Sequence, residues 1–165
     1  MSYSTGQGQF PRGNMWVMIR KLVESQGSIN AGMQSGGGAL QEVKATYDFS
    51  VDGGAVGAIT LKASPLIPAN AIIFGGFIYG ITTPTSAGAA TIAVGLGTGA
   101  QAAALKAAAN DETYAAGSTL AIIPVFTAAS VVKVAAESKI TITVATAALN
   151  AGKFSVHLFY FMAGE

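Results

Sequence analysis

Val43-Lys44-Ala45-Thr46-Tyr47-Asp48-Phe49-Ser50-Val51-Asp52 alternates apolar and polar residues without a miss. A strand sends successive side chains to opposite faces, so this period predicts a strand with one face buried and one wet. It also marks a boundary. The residues before Val43 are rich in Gly, Ser and Gln, whereas those after it carry strand signals at short intervals. The chain is therefore expected to divide into an N-terminal arm, residues 1–42, and a β domain, residues 43–165.

Downstream, Gly53-Gly54 is a tight-turn signal, and Val56–Ala63 reads as the returning strand. Ile72–Thr83 is an apolar run holding Gly75, Gly76 and Gly80, the composition of a strand that bends or bulges. Thr91–Leu96, Leu120–Phe126, Ser130–Ala135, Lys139–Ala145 and Lys153–Met162 complete a set of about eight strands. The Ala-rich stretch Ala100–Ala109 is the one helix candidate in the body. Short strands with regular turns and no βαβ alternation predict an all-β fold, an antiparallel β-sandwich of jelly-roll type with one short helix. An immunoglobulin-like sandwich is the rival, but the chain has no Cys-Trp-Cys pattern. In the last strand Phe154, Val156, Leu158 and Tyr160 supply a core face, yet the opposite face ends in Phe159 and Phe161. Something is expected to cover those two rings, either the chain's own arm or a neighbouring subunit.

Upstream, residues 1–13 read as an extended arm. Asn14 is placed to cap a short helix over about residues 14–24, with Trp16, Ile19 and Val23 on one stripe. Three turns are marginal alone in water, so another surface would have to hold them. Trp16 is the sole tryptophan and lies outside the β domain. An aromatic anchor near an arginine suits an interface hot spot. The candidate contact residues are therefore Phe10, Trp16, Ile19 and Leu22 from the arm, and Phe159 and Phe161 from the body.

Composition narrows the function. There is no cysteine, which removes disulfides, thiolate metal sites and cysteine nucleophiles. Net charge is +1 and the nine basic residues are scattered, with Arg20-Lys21 the only adjacent pair; nucleic acid is not an expected partner. Only 10% of residues are charged, against about 25% in ordinary soluble domains. No charge falls between Lys62 and Lys106. So neutral a surface points to assembly with other subunits. The run is not a membrane span, because Pro65, Pro68, Gly75, Gly76, Gly80 and Pro84 interrupt it. Met15–Ile19 is too short for a signal-peptide core and leads into Arg20-Lys21, the wrong polarity.

Catalytic patterns are scarce. Gly95-Leu96-Gly97-Thr98-Gly99-Ala100 fits the dinucleotide motif literally, but no acid lies about twenty residues on for the ribose, and the β context argues for a glycine-rich corner. His157 is the only histidine, which leaves no His-rich metal site and makes a surface or interface role the ordinary one. Asp48 and Asp52 share a strand face with Lys44, as alternating charges on a wet face do. Asp111-Glu112 lacks the spacing of a calcium loop. No enzyme, cofactor or metal is expected.

Several segments resemble small virion proteins of tailed bacteriophages. They are Ala45-Thr46-Tyr47-Asp48-Phe49-Ser50-Val51-Asp52-Gly53-Gly54-Ala55-Val56-Gly57, Ile67-Pro68-Ala69-Asn70-Ala71-Ile72, Gly88–Gly95 and Ala148–Phe154. The resemblance spans about residues 45 to 160 and omits the arm. It is to the capsid decoration, or cement, class: jelly rolls that sit on the outside of the shell and bridge neighbouring capsomers. It implies a protein made in the host cytoplasm and located on the virion, with the major capsid protein and itself (as dimer or trimer) as partners. It transfers no functional residues. The alternative is a tail or head-fibre component that binds host surface glycans through its loops, with Tyr114 as the one loop aromatic.

Overall fold

The computed structural model describes residues 40–97, 101–122 and 132–162. Eight strands are present among them: β1 (Gln41–Asp48), β2 (Gly57–Thr60), β3 (Ala71–Ser86), β4 (Thr91–Leu96), β5 (Lys106–Asn110), β6 (Thr119–Ile122), β7 (Ile140–Ala145) and β8 (Leu149–Met162). They form two four-stranded antiparallel sheets, β1-β8-β3-β6 and β2-β7-β4-β5. The pairing has a rule: β1 with β8, β2 with β7, β3 with β6 and β4 with β5. The chain is one long hairpin folded over on itself, which is the jelly roll.

Hydrophobic alternation drives each inner face. Val43, Ala45 and Tyr47 of β1, Phe154, Val156, Leu158 and Tyr160 of β8, and Ile140, Ile142 and Val144 of β7 are all buried. Phe154 sits between two tyrosines, its ring centroid 5.0 Å from that of Tyr47 and 5.1 Å from that of Tyr114. Each phenol is satisfied by a backbone carbonyl. Tyr114 donates to Ile92 on β4 (2.9 Å), tying the opposite sheet, and Tyr47 donates to Gly53 (2.9 Å). Burial pushes the Tyr114 phenol well above its ordinary pKa, and pushes that of Tyr47 to about 12, with Asp52 and Asp48 adding to the shift.

Four expectations need correction. The strand expected over 43–52 stops at Asp48, where a single helical turn, α1 (Phe49–Asp52), takes over. Asp48 Oδ1 accepts the Ser50 N–H (3.0 Å), and Asp52 Oδ2 accepts the Asp48 N–H (3.1 Å). Polar residues that continue the alternation thus bond their own backbone and end the strand. Gly53 closes the turn at φ +79°, where other residues are strained. The strand after Gly53-Gly54 does not return as a hairpin, because β2 pairs with β7 in the other sheet.

The helix expected over Ala100–Ala109 is not there: residues 101–105 turn and Lys106–Asn110 is strand β5. Pairing with β4, Ile92 opposite Ala109 among others, overrides the helical preference of alanine. The dinucleotide lookalike is explained by the same return. A Cβ on Gly95 would run into the backbone of Gln101 and Ala102, so a bare backbone is needed there. β4 also lies between two antiparallel neighbours, whereas the nucleotide motif needs a parallel one. Of the expected strand Ser130–Ala135, residues 132–135 form no ladder. Instead they run beside the start of β3, with Ile73 N–H donating to Val132 (3.0 Å) and Val134 N–H to Ala71 (2.8 Å).

The tyrosine clamp predicts a ranking measurable by chemical denaturation. Phe154→Ala should cost roughly 3–5 kcal/mol, as loss of a buried aromatic does. Tyr114→Phe should cost about 1–3 kcal/mol, the range for one lost buried hydrogen bond.

Candidate interaction face

The outer face of the β1-β8-β3-β6 sheet is built row by row from the register. Glu42, Phe159 and Gly75 form one row; Lys44, His157 and Phe77 the next; Thr46, Ser155 and Tyr79 a third; Asp48, Lys153 and Thr82 a fourth. Phe161 lies opposite Ile72 at the far end. One half of the face, along β1, is therefore ionic. The other half, along β3 and the end of β8, is aromatic.

A bulge in β3 produces the aromatic half. Before it, Ala71 and Ile73 face the core; after the register shift between Ile73 and Gly75, Ile78 does. One extra residue, Phe74, reverses the parity, so Phe77 and Tyr79 turn outward. Tyr79 is 44% exposed and Phe74 56%. Phe77 stacks on the His157 ring at 4.5 Å and meets Phe159 at 6.4 Å. Phe159 and Phe161 are half-buried. Sequence reasoning finds those two but misses Phe77 and Tyr79, because a bulge leaves no mark in the alternation except its glycines.

His157 anchors the border between the halves. Its Nδ1 lies 2.9 Å from Glu42 Oε1 and its Nε2 3.2 Å from Ser155 Oγ. Serine, histidine and carboxylate in line satisfy the spacing of a nucleophile, its base and an orienting acid. The surroundings do not complete the site. Ser155 is buried, and β8 is laddered to β1 on one side and β3 on the other, so its amides are engaged in sheet pairing. An oxyanion needs free donors there. The line serves as a brace across β8.

Lys153 and Asp48 form the second ionic link, at 2.8 Å. That hydrogen bond, with those from Ser50, holds the Asp48 carboxyl down at about 2. Elsewhere, a polar cleft of about 530 Å³ opens between residues 83–89 and 110–112. Its buried carboxylate, Asp111, accepts from Ser86 Oγ (2.8 Å) and from the Glu112 N–H (3.0 Å), so it is a brace as well. Tyr114, the aromatic offered for glycan stacking, is fully buried and inaccessible to a ligand. Among the described residues no group of three or more His, Asp or Glu is placed to hold a metal, and no helix is long and apolar enough to cross a membrane. Phe10, Trp16, Ile19 and Leu22 lie outside the described residues.

No protein-family model matches the chain, and no curated protein matches it in sequence. Its fold, however, matches chains in three solved structures, each with TM-score 0.50. A chain of the acidic stable capsid of Helicobacter pylori bacteriophage KHP30 is 15% identical, the match covering 76% of this protein and 90% of that chain. A chain of the cyanophage Pam1 capsid asymmetric unit is 18% identical over 78% and 89%. A chain of the Ralstonia phage GP4 capsid is 14% identical over 79% and 89%. At these identities the likeness is one of fold.

The Asp48 link carries a pH dependence of known sign. Its folded pKa lies below the ordinary 3.8, so its stabilisation is present above that value and is lost as pH falls towards 2. Asp48→Asn keeps a capping side chain but not the charge. The variant should melt below the wild type at neutral pH, and the gap should close between about pH 4 and pH 2, as followed by circular dichroism.

Proposed function

We propose that the protein is a structural component of a phage virion, a decoration or cement protein on the outer surface of the capsid that bridges neighbouring capsid subunits. The observation that carries this reading is the fold shared with chains of three phage capsids over about nine-tenths of each of those chains. The aromatic half-face and the scarcity of charge support it, since both suit a molecule that works by covering surface. A cement raises the cost of separating shell subunits by burying apolar area across their joints, at about 25 cal/mol per Å² before ordering costs. Repetition over the shell multiplies a modest contact.

In this reading the partner is the major capsid protein. Phe159 and Phe161 meet a neighbouring subunit, joined by Phe77 and Tyr79 from the same face. Phe10, Trp16, Ile19 and Leu22 make the contacts of an arm, residues 1–42. The chemistry required is burial alone, without catalysis, cofactor, nucleic acid or membrane.

Adding purified protein to capsids that lack it should produce new density on the shell in electron micrographs. Because β1 begins at Gln41, the informative truncation removes residues 1–39. That shortened protein should keep its β-sheet spectrum and fail to decorate. Phe159→Ser with Phe161→Ser should weaken decoration on the order of tenfold, as loss of anchor side chains does. Normal decoration by the truncated protein would remove the arm from the mechanism, and no binding of the intact chain to any capsid would overturn the reading.

A further inference from the structure

Among the described residues, β1 is an edge strand with its outer edge open. It ends the sheet order, and its only ladder among the described residues is with β8. The Asp48 N–H points off that edge to the Asp52 carboxylate. Two-residue alternation therefore places the N–H and C=O groups of Thr46, Lys44 and Glu42 on the same open edge, and none of them has a hydrogen-bond partner among the described residues. Such an edge is a template for another strand unless something blocks it. There is no proline in β1 and no bulge in its ladder.

The outward charges of β1 say which strand fits. Glu42 pairs with His157 through one carboxylate oxygen and remains half in solvent, and Asp48 is taken by Lys153. Lys44 is exposed and has no ion-pair partner among the described residues. A cation and an anion two residues apart on one strand face are complementary to themselves about a two-fold axis through the residue between them. We propose that β1 pairs antiparallel with β1 of a second copy about an axis at Val43, setting Glu42 against the partner's Lys44 and Lys44 against the partner's Glu42, and joining two sheets into one of eight strands.

The competing registers fail on charge or on donors. Odd offsets would set core-facing residues against wet ones. An axis at Glu42 or at Lys44 places like charges face to face, and an axis at Ala45 places Glu42 against the partner's Asp48. An axis at Thr46 pairs Lys44 with Asp48, but the Asp48 N–H is already given to Asp52 and its carboxylate to Lys153 and Ser50. Only the Val43 axis uses free backbone groups and opposite charges together. The lone Lys44 is then a register selector, meeting an opposite charge beside free backbone groups in one alignment alone.

Sedimentation of the full chain should give twice the 16.6 kDa chain mass. Glu42→Lys and Lys44→Glu should each weaken the dimer on the order of tenfold, because two cross-strand pairs become like-charged. Mixing the two variants should restore a heterodimer, since an edge with two cations then faces an edge with two anions; a merely unfolded variant would not be rescued. The chain has no cysteine, so single cysteines report the axis. Val43 would form a non-hydrogen-bonded pair with its copy, Cα atoms about 4.5 Å apart, within disulfide reach. Val43→Cys should cross-link on mild oxidation, and Ala45→Cys and Thr46→Cys should not. A monomer at high concentration, a dimer indifferent to both charge variants, or cross-linking strongest at position 45 or 46 would overturn the proposal. None of these measurements needs a capsid, so the result is independent of the decoration reading.

Discussion

Everything in this sandwich is organised around Phe154, held between Tyr47 and Tyr114. Three rings from β1, β8 and the turn after β5 meet at one point, and the Tyr114 hydroxyl reaches β4 in the facing sheet. Sheets packed face to face are otherwise held by non-directional burial, which tolerates sliding. A phenol bonded to a fixed carbonyl does not slide. The clamp converts hydrophobic packing into a defined alignment of the two layers, and the alignment in turn sets which residues the outer faces present.

Those outer faces are where the protein departs from an ordinary soluble domain. With a tenth of its residues charged, it places Glu42, Lys44, Asp48 and Lys153 together on one half of one sheet. The adjacent half carries Phe77, Phe159, Phe161 and Tyr79. His157 belongs to both, stacked on Phe77 and bonded to Glu42. The paired charges, Glu42 with His157 and Asp48 with Lys153, fix side chains in place at the border of an apolar surface.

The fold is legible in the sequence wherever burial alone decides conformation. Thr91–Leu96 has the bounds its pattern predicts, and the inward set of Phe154, Val156, Leu158 and Tyr160 is plain from period two. The pattern misleads where local polar bonds or distant pairing intervene. Asp48, Ser50 and Asp52 look like the wet side of a strand and in fact cap a helical turn. Lys106–Asn110 looks helical until β4 claims it. The expected number of strands holds only through a compensation, β5 replacing the one expected at 130–135. On the outer face, Phe159 and Phe161 are readable as rings where polar residues belong. Phe77 and Tyr79 are hidden, because the bulge at Phe74 shifts the alternation without altering its appearance.

The nested pairing has a consequence for how the chain is made. β8 is the central partner of both β1 and β3, and the contact from Tyr160 to Gln41 closes a loop of 119 residues. The β1-β8-β3-β6 sheet is not complete until β8 has left the ribosome, so β1 waits without its sheet partner while every strand between them is made. Long-range closure of this kind is slow relative to local folding. A nascent strand left waiting gains from charge that keeps it from pairing wrongly, and β1 carries Glu42, Lys44 and Asp48 on its outward face.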